Sequence, residues 1–337
     1  MIFRAPVRID FAGGFTDVEP YSSERGGAVV NATIGLYSYI SLDLREGSNI
    51  KLVSLDYDLS EEARSIREME YNGNLDLLKA GLKRLGMELG GEVQAWCEAP
   101  PGAGLGASAA TAVCLIYAIY HLMNKKASRE EIAEMAHSLE IEELGIWGGK
   151  QDQYASALGG FLFLEFTDRV RCVRLKLREE FIKELEQSLL LFYTGTSRLS
   201  GKIVGEVMER YKNEKEIGEL LDEMKEIAYE LRHALEREDI ADIGRLLSHH
   251  WERQKRLLPE IGNVQIDEMF RYMKELGGIG GKVLGAGGGG CILFVVEKDR
   301  RKALEEAISE KGCKLLPVKL VKRGVMRGRE RRKFFIN

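Results

Sequence analysis

Apolar and polar residues alternate over residues 2–11, the period of a strand with one buried face. Gly13-Gly14-Phe15-Thr16-Asp17 predicts a turn, and Gly26-Gly27 a second one. Residues 28–34 and 37–44, rich in Val, Ile and Tyr, predict two strands. The charged, mixed stretch 46–75 predicts a strand and a surface excursion, and 75–85 a short helix closed by Gly86. Residues 93–99 alternate again. Residues 109–121 hold Ala, Leu and Ile without Gly or Pro, which predicts a buried helix. Ser128 and Glu131 form a capping box opening a helix with Ile132, Met135, Ala136 and Leu139 inward, which runs to about Leu144 and stops at Gly145. The segment 148–155 reads as a connector to Gly159-Gly160 and the strand 161–166.

The pattern then becomes more charged. Residues 168–188 are polar, 188–193 predict a strand, and 197–238 one long helical stretch with Lys and Glu faces. Helices follow at 240–257, 266–276 and 300–311, and strands at 291–296 and 315–321. This shift places a domain boundary near residue 170, dividing the chain into 1–170 and 171–337. A length of 337 residues agrees with about two domains.

Composition narrows the classes. Forty-nine basic against 53 acidic residues leave a net charge of −4, which argues against general nucleic-acid binding. The basic stretch 319–333 is a local exception and reads as a solvated tail. Five scattered cysteines without a C-x-x-C pair read as reduced core thiols. No run reaches the roughly 18 apolar residues of a membrane span, and Met1-Ile2-Phe3-Arg4-Ala5-Pro6 leads straight into a strand pattern. The expected compartment is therefore the cytoplasm.

The candidate chemistry centres on Pro100-Pro101-Gly102-Ala103-Gly104-Leu105-Gly106-Ala107-Ser108-Ala109-Ala110, between a predicted strand and a predicted helix. Glycines let a backbone turn several N–H groups one way, and a helix start adds partial positive charge, so this arrangement holds phosphate. A structural turn is the plainer alternative. The loop is not a Walker loop, since no Gly-Lys-Ser/Thr follows. Ser108 and Glu140 supply oxygens of the kind magnesium takes, although Glu140 could equally be a solvated helix-end acid. Asp152 could accept a hydroxyl proton if Arg8 or Lys150 keeps it ionised, or it could cap a turn. Asp17 beside Thr16 could hold sugar hydroxyls or close an Asx turn. Residues 285–290 match G-x-G-x-x-G, but a strand follows, which rules out a nicotinamide site. The run reads as backbone packed closely on another loop or on the first glycine-rich loop and its ligand. His249-His250 reads as a helix-face or core pair.

Three motifs, in order, resemble those of the GHMP small-molecule kinases: Pro6-Val7-Arg8-Ile9-Asp10-Phe11-Ala12-Gly13 with Thr16-Asp17, the loop at 100–110, and residues 284–291. The resemblance implies a two-domain α+β fold, with an N-terminal half like ribosomal S5 domain 2 and a ferredoxin-like C-terminal half. It implies ATP and magnesium as cofactors, with Pro101, Gly102, Ala103, Gly104, Leu105, Gly106, Ala107, Ser108, Gly287 and Gly288 at the nucleotide. Ser108 and Glu140 would hold the metal, Asp152 and Arg8 would be catalytic, and Gly14, Thr16, Asp17, Lys150 and Arg198 would meet the substrate. Within the family, residues 8–17, 148–154 and 192–201 look most like kinases of D-glycero-D-manno-heptose 7-phosphate, with fucose kinases near them. Ala107, Ala109, Asp10 and Phe15 depart from that subgroup. The expected partner is a small sugar or sugar phosphate, bound by a monomer or homodimer with no role for nucleic acid or membrane. A mevalonate-type kinase and a non-catalytic ligand sensor are the alternatives.

Overall fold

The computed structural model describes residues 1–88, 90–196 and 200–328. Its twelve strands are β1 Ile2–Ala12, β2 Gly27–Arg45, β3 Ile50–Ser54, β4 Leu59–Ala63, β5 Gly90–Cys97, β6 Phe161–Phe166, β7 Val170–Arg174, β8 Leu189–Tyr193, β9 Gly278–Val283, β10 Cys291–Val296, β11 Lys314–Leu316 and β12 Met326–Arg327. They form two sheets. The first runs β12-β1-β2-β5-β3-β4, with β6 also on β2 and β7 outside β6; the second runs β11-β8-β10-β9. The fold is α+β.

β2 is one strand of 19 residues, not two. It pairs with β1 along one edge, and on the other with β5 through Ser38–Arg45 and with β6 through Gly27–Ala32. Pairing with β1 slips between Pro6 and Arg8 and again between Asp10 and Ala12. The first slip crosses Gly35, a glycine inside the strand, which is why the pattern reads as two strands. Arg8, Ile9 and Asp10 lie between the slips, so the irregularities bracket the residues with candidate chemistry.

β1 from Ala5 onward and β2 up to Ile34 are continuously buried, so both sheet faces are covered. Helices Ala107–Leu122 and Gln151–Leu158 pack on one face. Helix Lys215–Glu236 packs on the other and against Ile240–Leu257, which lies on β9 and β10. The larger apolar cluster is therefore shared, joining Phe3, Ile9 and Val30 to Leu231, Leu247 and Leu293. We propose a division near residue 170: β8 to β11 lie after it, while β7 and β12 belong to the first sheet.

Several local expectations need correction. Residues 151–158 form a helix, not a connector, and 168–188 hold β7 and helix Glu179–Ser188. The long helical stretch is two helices, Ser200–Asn213 and Lys215–Glu236, parted at Glu214, whose backbone is extended. The last strand is shorter than 315–321 because the chain crosses back to the first sheet, where Gly35 N–H donates to Lys319 and Val321 N–H to Thr33, and then to helix Gln151–Leu158, where Val325 N–H donates to Ser156. The described part of the basic stretch is thus bound backbone, and residues 329–333 lie outside the described residues. Among the described residues, no helix is long and apolar enough to cross a membrane.

Candidate active site

Arg8 and Asp10 are two apart on β1 and share a sheet face. Arg8 reaches Asp152 through a two-pronged fork, Nε to Oδ1 at 2.7 Å and Nη2 to Oδ2 at 2.8 Å. Its third nitrogen donates to the carbonyl of Gly104 at 2.5 Å, and its backbone N–H to Leu105 at 3.0 Å. One buried guanidinium therefore joins β1, the glycine-rich loop and the first turn of helix Gln151–Leu158. Lys150, the other candidate cation for Asp152, instead meets Glu134 at 2.8 Å.

The loop has a simple construction. Gly102, Gly104 and Gly106 hold φ of 67°, 73° and 72°, a region costly for side chains, while Ala103 and Leu105 between them are buried anchors. Gly106 immediately precedes helix Ala107–Leu122, whose start has no side-chain cap, so its first N–H groups lack partners within the helix. A Cβ on Gly106 would stand 2.9 Å from Asp152 Oδ2, so absence of a side chain brings carboxylate and loop together.

Glu140 arrives by a different device. The capping box at Ser128 and Glu131 forms with both hydrogen bonds, but the helix widens to a π turn at Leu139–Glu143. There Glu140 is buried, accepting from Ser108 Oγ at 2.7 Å and Gln153 Nε2 at 2.6 Å. Burial raises its pKa, against those two hydrogen bonds. Among the described residues no three His, Cys, Asp or Glu side chains cluster as a metal site.

The second glycine run packs on the first. Cys291 N–H donates to Ala103 at 2.8 Å, a Cβ on Gly104 would be 2.4 Å from the Leu284 carbonyl, and one on Gly290 would be 2.9 Å from that of Ala103. Gly285 and Gly290 make this contact. Gly287 and Gly288 face Ile261 instead: a Cβ on Gly287 would be 2.6 Å from Ile261 Cγ2, and Gly288 N–H donates to the Ile261 carbonyl.

Around the first turn, Thr16 is fully buried, its hydroxyl engaged with the backbone of Gly13 and Ala28. It closes the turn that presents Asp17. Asp17 accepts from Gln151 N–H at 3.0 Å and sits where a side chain on Gly149 would collide with it. Gly14 lies over Asp10, with a Cβ position 3.2 Å from Asp10 Oδ2. A cavity of about 350 Å³ opens beside Asp17, walled by Lys150, Glu134, His137 and Tyr154; Asp152 and the first glycine-rich loop do not line it. Arg198 lies outside the described residues. His250 is buried and His249 exposed, the divergence expected of helix neighbours.

Burial pushes the Asp17 carboxyl up to about 6, opposed by the Gln151 N–H and reinforced by Asp152. With the folded pKa above the ordinary 3.8, its contribution to stability is complete below about pH 4 and lost as pH rises through about 6. Above that, burying the charge costs ~3 kcal/mol. Asp17→Asn is expected to raise Tm at pH 8 and leave it unchanged at pH 4; equal gains at both would contradict this.

Sequence reasoning missed Gln151, Gln153, Gln254 and the pairing of Asp10 with Lys282. Gln151 and Gln153 carried a signal, since they flank Asp152 directly, whereas nothing around Gln254 marked it. Lys282 carried none that locates its partner.

A glycine-rich loop at a helix start, a clamped carboxylate beside it and a hydroxyl–carboxylate oxygen pair are parts that a phosphotransferase requires. The family model for the GHMP kinases N terminal domain matches residues 74–160, and that for the GHMP kinases C terminal matches 231–313. The D-glycero-alpha-D-manno-heptose 7-phosphate kinase of Campylobacter jejuni is 30% identical over 96% of this chain and 97% of its own. A mevalonate kinase of Pyrococcus horikoshii is 27% identical over 85% and 87%. The crystal structure of a D-glycero-D-manno-heptose 1-phosphate kinase from Bacteroides thetaiotaomicron superposes with a TM-score of 0.81 at 28% identity, covering 98% of this chain and 99% of that one. The chain belongs to the GHMP kinases, whose phosphoryl donor is ATP.

Proposed function

We propose that this protein transfers the γ-phosphoryl group of ATP to a sugar or sugar-phosphate hydroxyl, with the anomeric hydroxyl of D-glycero-D-manno-heptose 7-phosphate as acceptor. The observation that carries the reading is the Arg8 clamp, which bonds the Gly104 carbonyl of the glycine-rich loop and holds the Asp152 carboxylate against Gly106. The sugar assignment rests on the two heptose kinases, which match more of the chain than the mevalonate kinase does.

In this reading residues 101–108 hold the triphosphate on backbone N–H groups and the helix start. The acceptor oxygen forms a bond to the γ-phosphorus as the bond to ADP breaks, and Asp152 takes the hydroxyl proton. Arg8 orients Asp152 and offsets charge developing on the transferred group. Asp17 accepts from sugar hydroxyls. Ser108 Oγ and the buried Glu140 carboxylate form an oxygen pair of the hard kind magnesium takes and would hold the ion. The ion supplies charge neutralisation at the phosphates. Lys150 and Arg198 are candidates for the 7-phosphate, with Lys150 first having to leave Glu134.

An ADP-release assay tests the reading. D-glycero-D-manno-heptose 7-phosphate is expected to be turned over, with mannose, fucose, galactose and mevalonate at least tenfold poorer in kcat/KM, about 1.4 kcal/mol of discrimination. Preferred turnover of mevalonate would overturn the sugar assignment and keep the kinase.

A further inference from the structure

Lys282 on β9 is fully buried, and its ammonium meets Asp10 Oδ2 on β1, itself 1% exposed. This ion pair joins the two sheets across 272 positions of sequence. The other Asp10 oxygen, Oδ1, accepts from the N–H of Gly285 at 3.1 Å. The carbonyl of Gly285 accepts from Gln254 Nε2 at 2.8 Å, from helix Ile240–Leu257. One glycine is thus gripped at both its polar groups by side chains from two different elements.

That glycine is where the two glycine-rich loops meet. Gly285 holds φ of 67°, and a Cβ on it would be 3.0 Å from Gly104 Cα. Gly104 in turn offers its carbonyl to Arg8. Stability alone is a poor reason for such a pair, because buried ion pairs are often matched or bettered by apolar residues of the same volume. Among the described residues Asp10 is the single ion-pair partner of Lys282. Burial and the Lys282 charge hold the neighbouring, fully buried His250 well below the usual imidazole range.

We propose that Asp10 and Lys282 are a positioning pair: Lys282 fixes Asp10, and Asp10 Oδ1 holds Gly285 so that the second glycine-rich loop closes on the phosphate loop and sets the affinity for the nucleotide triphosphate. The inference rests on the reading of residues 101–108 as the triphosphate cradle. It assigns binding strength to residues that do not touch the reacting atoms.

Two double variants separate the hydrogen bond from the charge. Asp10→Asn with Lys282→Met removes both charges but keeps an oxygen acceptor for Gly285. Asp10→Leu with Lys282→Met removes the acceptor as well. ATP binding is measured by titration calorimetry without acceptor sugar, referred to the folded fraction from circular dichroism. The asparagine double is expected within about threefold of the wild-type Kd, and the leucine double about tenfold weaker, the loss from one buried N–H left unpaired. The single Lys282→Met is also expected about tenfold weaker, since it leaves Asp10 buried without its cation. Equal Kd values for the two doubles, tight or weak, would overturn the proposal while leaving the cradle in place. A wild type that binds no ATP would overturn the cradle reading and the proposal with it.

Discussion

Asp152→Asn is expected to lower kcat by about three orders of magnitude while ATP affinity stays within about twofold of wild type. The substitution keeps the shape of the side chain and one acceptor for Arg8, but an amide takes no proton from the attacking hydroxyl. The carboxylate lies against Gly106 without being part of the phosphate loop, so the triphosphate cradle stays intact. A factor of a thousand corresponds to ~4 kcal/mol of transition-state stabilisation, within the range of a positioned general base together with the orientation it gives the acceptor. Steady-state kinetics paired with calorimetry checks both halves. A variant retaining more than a tenth of wild-type kcat would show that Asp152 only positions the loop.

Arg8→Met is expected to be the other large loss, and to differ in kind. It is expected to lower kcat by about 10²–10³-fold and stability by about 3 kcal/mol together. The buried guanidinium makes two bonds to Asp152 and one to the Gly104 carbonyl. Methionine fills much of the volume but leaves that carbonyl and carboxylate unanswered, with Asp17 and Glu140 close enough to add repulsion. Arg8→Lys restores the charge without the fork, so it is expected to recover stability more than rate. The urea midpoint and kcat, measured on both variants, test this. Full kcat in Arg8→Met would remove Arg8 from the transition state.

Local patterns were legible in the sequence, and long-range pairings were not. The capping box at Ser128 and Glu131 is a relation across three residues, and both its bonds form. The loop 102–106 announces itself because only glycine tolerates positive φ at alternate positions. By contrast, whether Arg8 or Lys150 would meet Asp152 depended on the long-range pairing of β1 with β2 and on Glu134, sixteen positions before Lys150. Glu140 and Asp152 could be singled out as candidate acids, but the π turn that buries Glu140 could not be read, because its side-chain pattern continues that of an ordinary helix. The glycines at 287 and 288 illustrate the same limit. The run 285–290 signals close backbone packing, yet which glycine meets the first glycine-rich loop is decided by Ile261 and Asp10, both remote in sequence.

The most direct test of the sugar-kinase reading is phosphorus NMR of the reaction of ATP with D-glycero-D-manno-heptose 7-phosphate and magnesium. The account predicts loss of the γ-phosphate resonance and one new sugar-phosphate resonance split by the anomeric proton, with the 7-phosphate unchanged. A new phosphate on another carbon, or an unchanged ATP spectrum beside a sample that phosphorylates mevalonate, would contradict it.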